Sequence, residues 1–133
     1  MRRLMLVVAS LALLAGLPAH SGHGAEQKKL SDLMQRKLDN AQKVLAAVAT
    51  NDFKAIRKHA EELIDISKEA EFKAIKTPQY ELLSEDFRRA AGDLVQSAKD
   101  RNADAASLAY VQMSLSCFKC HKHIREVRMV RAD

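Results

Sequence analysis

Apolar side chains recur at intervals of three and four residues in four separate stretches of this chain, and this recurrence constrains its fold more than any other feature. Such spacing places the apolar residues of each stretch on one side of an α-helix. Polar breaks separate the stretches at residues 50–52, at Thr77 followed by Pro78, and at residues 100–102. Because short connections make successive helices antiparallel neighbours, the prediction is an all-α, antiparallel, up-down-up-down four-helix bundle.

The stripes also predict which residues form the core and where the helices begin. The first stripe contains Leu30, Met34, Leu38, Ala41, Leu45 and Val48, and the second runs from Phe53 through Ile56, Ala60, Leu63 and Ala70 towards Phe72 or Ile75. The third contains Tyr80, Leu83, Phe87, Ala90, Leu94 and Ala98, and the fourth Tyr110, Met113, Cys117, Cys120, His121, Ile124 and Val127. We expect Asp52, Thr77 and Asp104 to be N-caps, with Pro78 at the first position of the third helix.

The first 25 residues have a different character from the rest of the chain. Two arginines precede an apolar run at residues 4–17, and a segment of small and polar residues follows it. This order is typical of a secretory signal peptide. The apolar run has about fourteen residues, fewer than the roughly 20 that span a bilayer, so a retained membrane anchor is the weaker interpretation. We expect cleavage between residues 21 and 25, and one exported, periplasmic domain at residues 26–133.

The charge pattern argues against a nucleic-acid partner. The whole chain has a formal net charge of +5, and removal of the two N-terminal arginines lowers it to about +3. Acidic and basic residues alternate in phrases such as "KHAEELIDISKEAEFK", with no basic block and no interleaved aromatic residues. This alternation is typical of solvated helix surfaces. An acidic protein partner remains compatible with the weak positive charge.

Both cysteines of the chain occur in the phrase "CFKCH", residues 117–121. On a helix, Cys117, Cys120 and His121 fall at roughly 0°, 300° and 40° around the axis, so all three face one way. Two thiols in this arrangement can add to the two vinyl groups of a haem while the adjacent imidazole reaches the iron, and C-x-x-C-H is the attachment motif of c-type haem. The motif therefore predicts one covalently attached haem c with His121 as its proximal ligand.

The cysteine pair has three other interpretations: a disulfide, a thioredoxin-like redox pair and a zinc site. A thioredoxin motif belongs to a βαβ context, which this sequence lacks. A zinc ion would need further ligands that only His123 or the distant His59 could supply. The signal peptide favours the haem, which is attached to such proteins after export. We expect His123 and His59 to lie on the surface.

Around its cysteine motif the chain resembles the cytochrome c-prime and cytochrome c-556 group, exported four-helix bundles that carry one haem near the C-terminus. The specific parts are "CFKCHKHIR", in which Arg125 matches the basic residue that the family places four positions after the haem histidine, and the location of the motif. The helix-1 stretch "LSDLMQRKLDNAQKVLAAVATNDF" is also similar, with Met34 at the position of the family's distal residue. The pattern match covers most of residues 27–130, although the Trp that many members carry between the second and third helices is absent.

The predicted helix arrangement puts Met34 and His121 at the same end of the bundle. Met34 is accordingly expected as the sixth iron ligand, with ordinary core packing as its alternative role. The other expected contacts of the haem are Tyr110 and Met113, which share the side of the cysteines, and Arg125, which would pair with a propionate or hold the proximal side. A solvated surface position is the alternative for Arg125. Phe72, Ile75, Tyr80 and Leu83 are expected to form the pocket wall, because the ends of the second and third helices meet there.

These expectations indicate two functions from different classes. With Met34 bound, the protein would be a single-electron carrier with an unidentified redox partner protein, and not an enzyme. With an open sixth position, it would be a five-coordinate haem protein that binds a small gas such as nitric oxide. No nucleic-acid binding and no stable membrane insertion are expected. A homodimer through the first two helices would match the family, although the stripes show no second apolar face.

Overall fold

Four helices account for nearly all of the residues that the computed structural model describes, which are residues 21–69 and 75–130. They are α1 (Ser21–Ala49), α2 (Phe53–Lys68), α3 (Pro78–Lys99) and α4 (Ala103–Val130). No strand occurs within these two ranges. Each helix packs against the next along the chain, and α1 contacts α4 much less than α2. The all-α prediction is confirmed, and the four helices pack against each other as expected of a bundle.

The segment assigned to the signal peptide is described only in its last residues. Residues 1–20 lie outside the described part of the chain, and residues 21–25 form the beginning of α1. None of the helices in the described part is both long enough and apolar enough to cross a membrane.

The connections α1–α2 and α3–α4 are short and have the same backbone conformation. Their middle residues, Asn51 and Arg101, have φ angles of 56° and 53°. This left-handed conformation is common where a helix ends, and Asn adopts it more readily than most residues. The Arg101 guanidinium, in the α3–α4 connection, lies 5.3 Å from the centroid of the ring of Phe53, the first residue of α2. The two turns therefore lie side by side at one end of the bundle.

Side chains that cap the helix N-termini fix where each helix begins. The carboxylate of Asp52 accepts a hydrogen bond of 3.0 Å from the Ala55 backbone N–H, as predicted for α2. At α4 the prediction was wrong: Asp104 lies within the first turn, and the amide oxygen of Asn102 accepts from the Ala105 N–H at 3.0 Å. Both Asn and Asp are good caps, so residue type alone did not separate the two positions.

The start of α3 is as predicted, and the end of α2 is not. Thr77 Oγ1 accepts a hydrogen bond of 3.1 Å from the Tyr80 N–H, and Pro78 occupies the first helical position. The predicted continuation of α2 to Phe72 or Ile75 is too long, because the helix ends at Lys68. Phe72 itself lies outside the described residues, together with the rest of 70–74.

The buried side of α1 differs from the predicted stripe. Leu38 and Leu45 are 51% and 49% exposed, whereas Leu33, Val44 and Ala47 are buried. Around the helix, Leu38 and Leu45 lie within about 40° of Met34, and the three buried residues lie about 80° to 140° away from it. α1 thus has two apolar sides. One side packs on the core; on the other, Ala41 and Val48 still contact the core, whereas Leu38 and Leu45 are exposed.

The core itself runs along the inner sides of all four helices, and α4 joins it through Ala106, Ala109 and Met113. Its other buried members are Val44, Ala47, Ile56, Ala60, Leu63, Phe87, Ala90, Ala91, Leu94 and Ala98. Many are alanines, whose small side chains allow α3 to pack closely against both α2 and α4. This close packing stops near Met113 on α4, and a cavity begins there.

Candidate functional site: a cavity between α1, α3 and α4

A cavity of about 340 Å³ opens between α1, α3 and α4 at the end of the bundle where α1 and α3 begin and α4 ends. Its volume lies within the range of roughly 300–1,000 Å³ that is usual for ligand-binding sites. The lining is mainly apolar, with a few polar groups. It consists of Gln27, Leu30, Ser31, Met34 and Lys37 from α1, Ile75 from the segment before α3, Tyr80, Leu83, Ser84 and Phe87 from α3, and Ser116, Cys117, Cys120, His121, Ile124 and Arg128 from α4.

The three residues of the cysteine motif lie on the α4 wall of this cavity. Cys117 and Cys120 are partly buried free thiols, and His121 is exposed at the edge. The Cys117 thiol donates a hydrogen bond to the Met113 carbonyl, with 3.4 Å between sulfur and oxygen. The helix brings these three side chains together because their spacing of three and four residues repeats one helical turn. They form one continuous reactive strip along the cavity wall.

Burial controls the protonation of both thiols. Desolvation raises the pKa of Cys117, and the Lys37 ammonium lowers it by a smaller amount. The same two causes act on Cys120, where the neighbouring Cys117 also raises the pKa. Because both pKa values lie above the ordinary value for a thiol, the two groups are protonated at neutral pH. They are held as neutral thiols that face the same cavity.

The imidazole of His121 is kept neutral by its surroundings. Partial burial lowers its pKa, and the positive charges of Lys37 and Arg125 lower it further. A neutral imidazole has an unprotonated nitrogen, which is the form that binds a metal ion. The arrangement on α4 therefore offers a metal-ligating nitrogen directly beside two thiols.

Met34 lines the same cavity from α1, across from the motif on α4. It is partly buried, and Leu30, one helical turn earlier, also faces the cavity. The structure thus brings Met34 and His121 to opposite walls of one cavity, the relation that the antiparallel helices predict. Whether the thioether binds iron stays a prediction.

Tyr80, Ile75 and Leu83 contribute to the cavity wall from α3 and the segment before it. Tyr80 is nearly fully buried, and desolvation, with the nearby Cys120 as a second cause, raises the pKa of its hydroxyl to about 12. The phenol is therefore neutral over the physiological pH range. Phe72, the fourth residue expected in this wall, lies outside the described residues.

Three residues expected to contact a haem do not line the cavity. Met113 is completely buried in the core, and Tyr110 packs against that core one turn further down α4. Both lie below Ser116, where the cavity ends on this helix. Arg125 is exposed, and Arg128 lines the cavity in its place. The reason is rotational: Arg128 lies about 20° from Cys117 around the helix, and Arg125 about 80°.

A hydrogen bond joins α4, just after the cysteine motif, to the start of α3. His123 Nε2 and Thr77 Oγ1 are 3.0 Å apart, and Thr77 is also the N-cap of α3. His123 was expected on the surface, but it is partly buried by this contact. One threonine hydroxyl therefore joins the α3 N-terminus to the helix that carries the motif.

Lys37 is a functional candidate that the sequence pattern did not predict. Its ammonium nitrogen lies 3.3 Å from the centroid of the Phe87 ring, inside the cavity. Desolvation lowers its pKa to about 8; the two thiols oppose this effect, and Arg88 adds to it. A signal was available, because Lys37 is four residues after the buried Leu33 and so lies on the inner side of α1. The apolar stripe predicted for α1 does not include Lys37.

Among residues 21–69 and 75–130, no three His, Cys, Asp or Glu side chains come together as a group that could hold a metal ion. A haem iron needs no such group, since the protein supplies only its axial ligands.

Comparisons with known proteins add no relatives to these observations. No protein-family model matches the chain. Neither the curated proteins nor the solved structures contain a match at the required significance.

Proposed function

We propose that this protein is an exported monohaem c-type cytochrome that carries single electrons and is not an enzyme. One observation carries the proposal: Cys117, Cys120 and His121 lie on one helix and face one apolar cavity. This is the residue set of the c-type attachment motif, in a place where a large flat apolar group could be enclosed. The arginine-led apolar segment at residues 1–25 supports export to the periplasm, where such haems are attached.

The residues of the cavity fit a haem. Leu30, Ile75, Leu83, Phe87 and Ile124 give apolar walls. The cavity lies between α3 and the two helices α1 and α4, which contact each other little. Each thiol can add across a vinyl group, with the sulfur bonding to one carbon and the thiol hydrogen passing to the other, so no oxidant is required. Bound here, the iron would supply a one-electron redox couple.

The chain's own residues would hold and shield this group. The neutral imidazole of His121 can bind iron from α4, and the thioether of Met34 faces the cavity from α1. Two strong axial ligands favour electron transfer, because the iron then changes oxidation state with little rearrangement. Arg128, at the outer end of α4, is suited to pair with a haem carboxylate. The redox partner would be another protein, of unidentified nature.

A second function, binding of a small gas such as nitric oxide, is favoured by the apolar surface next to Met34. Leu30 lies one turn earlier on the same wall, so α1 could cover an open iron position with aliphatic groups alone. Met34 would then be packing and the iron five-coordinate. The spin state of the iron separates this function from electron transfer.

The covalent attachment is tested first, on the mature protein produced with a haem-attachment system. Acid–acetone extraction should leave the haem with the polypeptide, because thioether bonds survive it. The matched control is the Cys117→Ser, Cys120→Ser double variant, which should release any haem it holds. Free haem from the parent protein would refute the proposal.

The axial ligand is tested next by spectroscopy. If Met34 binds, the parent should be low-spin in both oxidation states, with a weak sulfur-to-iron charge-transfer band in the oxidised form. Met34→Ala should become high-spin and bind carbon monoxide much faster. Leu30→Ala is the matched control, because it enlarges the cavity at the same wall without removing an iron ligand. This variant should remain low-spin. A high-spin parent that binds carbon monoxide readily would replace electron transfer by gas binding.

A further inference from the structure

The inner end of the cavity holds a positive charge. Lys37 is the last cavity residue along α1, Phe87 is the last along α3, and α4 reaches the same depth with Ser116 and Cys117. α1 and α3 run inwards from the mouth and α4 runs outwards, so these residues mark the floor of the cavity. The Lys37 ammonium lies 3.3 Å from the Phe87 ring centroid on this floor.

A charged group in such a place is costly for folding. Lys37 is partly buried, which reduces the contact of its ammonium with water, and few proteins keep a lysine in such a place without a specific interaction. The contact with the Phe87 ring is one such interaction, since the face of an aromatic ring attracts a cation. An uncharged side chain of the same length would fill the space without this cost. The position therefore keeps a charge at the one site where a cofactor would be influenced by it.

We propose that the Lys37 ammonium raises the reduction potential of a haem iron held in this cavity. The inference rests on the proposed function and concerns what sets the reduction potential of the haem. Ferric iron carries one more positive charge than ferrous iron, and reduction adds one electron from the redox partner without moving another atom. A nearby positive charge in a medium of low dielectric constant disfavours the more positive, oxidised state. Lys37 would thus favour the reduced protein.

The test measures midpoint potentials of the mature, haem-containing protein by spectroelectrochemistry. Lys37→Met removes the charge and keeps the length of the side chain, and Lys37→Gln is a second neutral variant in case the first matures poorly. Lys37→Arg retains the charge. The matched control is Lys43→Met, which removes an exposed lysine from the same helix.

We expect both neutral variants to lower the equilibrium constant for reduction at least about tenfold, which is about 59 mV for one electron. Lys37→Arg should stay close to the parent. Lys43→Met should change the potential much less, and its effect should fade as salt is added, because exposed charges are screened. All variants should retain the axial ligands, seen as an unchanged spin state.

Two outcomes would overturn this inference and leave the proposed function intact. In the first, the neutral variants have the parent's reduction potential; in the second, the potential of Lys37→Arg falls as far as that of Lys37→Met. The first would mean that the ammonium leaves the cavity when haem is present, and the second that side-chain shape and not charge is responsible. Haem that is not covalently attached in the parent would instead refute the proposed function, and the inference with it. Extraction of the parent therefore precedes the potential measurements.

Discussion

Replacing Lys37 by methionine should stabilise the haem-free polypeptide, although it removes a residue that lines the candidate site. Burial lowers the pKa of this ammonium from 10.5 to about 8. At about 1.4 kcal/mol for each tenfold change in proton affinity, the charged form costs the fold about 3 kcal/mol. The folded-state pKa already includes every contact of the charge, that with Phe87 among them, so the variant should gain about 3 kcal/mol at pH 7.

The pH dependence of this gain follows from the two pKa values. Below pH 8 Lys37 is charged in both the folded and the unfolded chain, so the whole cost is present. Between about pH 8 and 10.5 it is charged only when unfolded; unfolding then takes up a proton, and the stability of the parent rises with pH. Above pH 10.5 it is neutral in both states. The advantage of Lys37→Met should thus disappear across this interval.

Urea unfolding followed by far-UV circular dichroism measures both effects. The free energy of unfolding should be compared between the parent and Lys37→Met at several pH values, with Lys43→Met as the exposed control. Because the Lys37 ammonium lowers the pKa of both thiols, all three proteins should carry Cys117→Ser and Cys120→Ser, so that thiol titration does not contribute to the difference. A variant that is no more stable at pH 7, or a difference that stays constant from pH 7 to 11, would refute the reasoning.

Two further predictions concern helix caps. Asn102→Ala should lower the free energy of unfolding by about 1 kcal/mol, because Asn102 accepts the hydrogen bond from the Ala105 N–H. Asp104→Ala should lower it by less than about 0.5 kcal/mol. Urea titration measures both losses, and equal losses would contradict the assignment of Asn102 as the cap. Thr77→Ala should cost about 1–2 kcal/mol, because the hydroxyl both caps α3 and bonds His123, and Thr77→Ser should retain most of that stability. A Ser variant as unstable as the Ala variant would mean that the methyl group matters more than the hydroxyl.

Local signals predicted most of the helix boundaries correctly. Asp52 and Thr77 accept the hydrogen bonds expected of N-caps, and Pro78 starts α3 because its ring fits only the first turn. These effects act within four residues, so a sequence contains them completely. The end of α2 was harder, because the apolar spacing continues past Lys68 and no glycine or proline marks the stop.

The site was predictable where one helix carries it and less so where several helices meet. The motif on α4 needed only helical spacing, and the position of Met34 needed only antiparallel neighbours. The choice between Arg125 and Arg128 depended on how α4 is rotated against α1 and α3, which no local pattern contains. The depth of the cavity likewise depended on where α1 and α4 separate, and this excluded Tyr110 and Met113 from its lining.

α1 misled the choice of core residues because it has two apolar sides. Leu33 and Val44 face the core, and Leu38 and Leu45 lie on the side of Met34. A stripe drawn through Met34 therefore includes Ala41 and Val48, which pack against the core, but also the exposed Leu38 and Leu45. It also bypasses Lys37, which interrupts the true buried side with a charge. Breaks of this kind in an otherwise consistent pattern are expected at functional positions.

The Lys37 charge should consequently have two opposite effects, lowering the stability of the folded polypeptide and raising the reduction potential of a bound haem. The charge destabilises the folded polypeptide, because the cavity floor is poorly hydrated, and the same poor hydration would extend its influence to a bound iron. Lys37→Met should therefore be more resistant to urea as the haem-free chain and have a lower reduction potential as the haem protein, whereas Lys43→Met should change both much less. If Lys37→Met gained stability but kept the parent's potential, the charge would serve neither the fold nor the iron. The charge that interrupts the buried side of α1 would then have no role in setting the reduction potential.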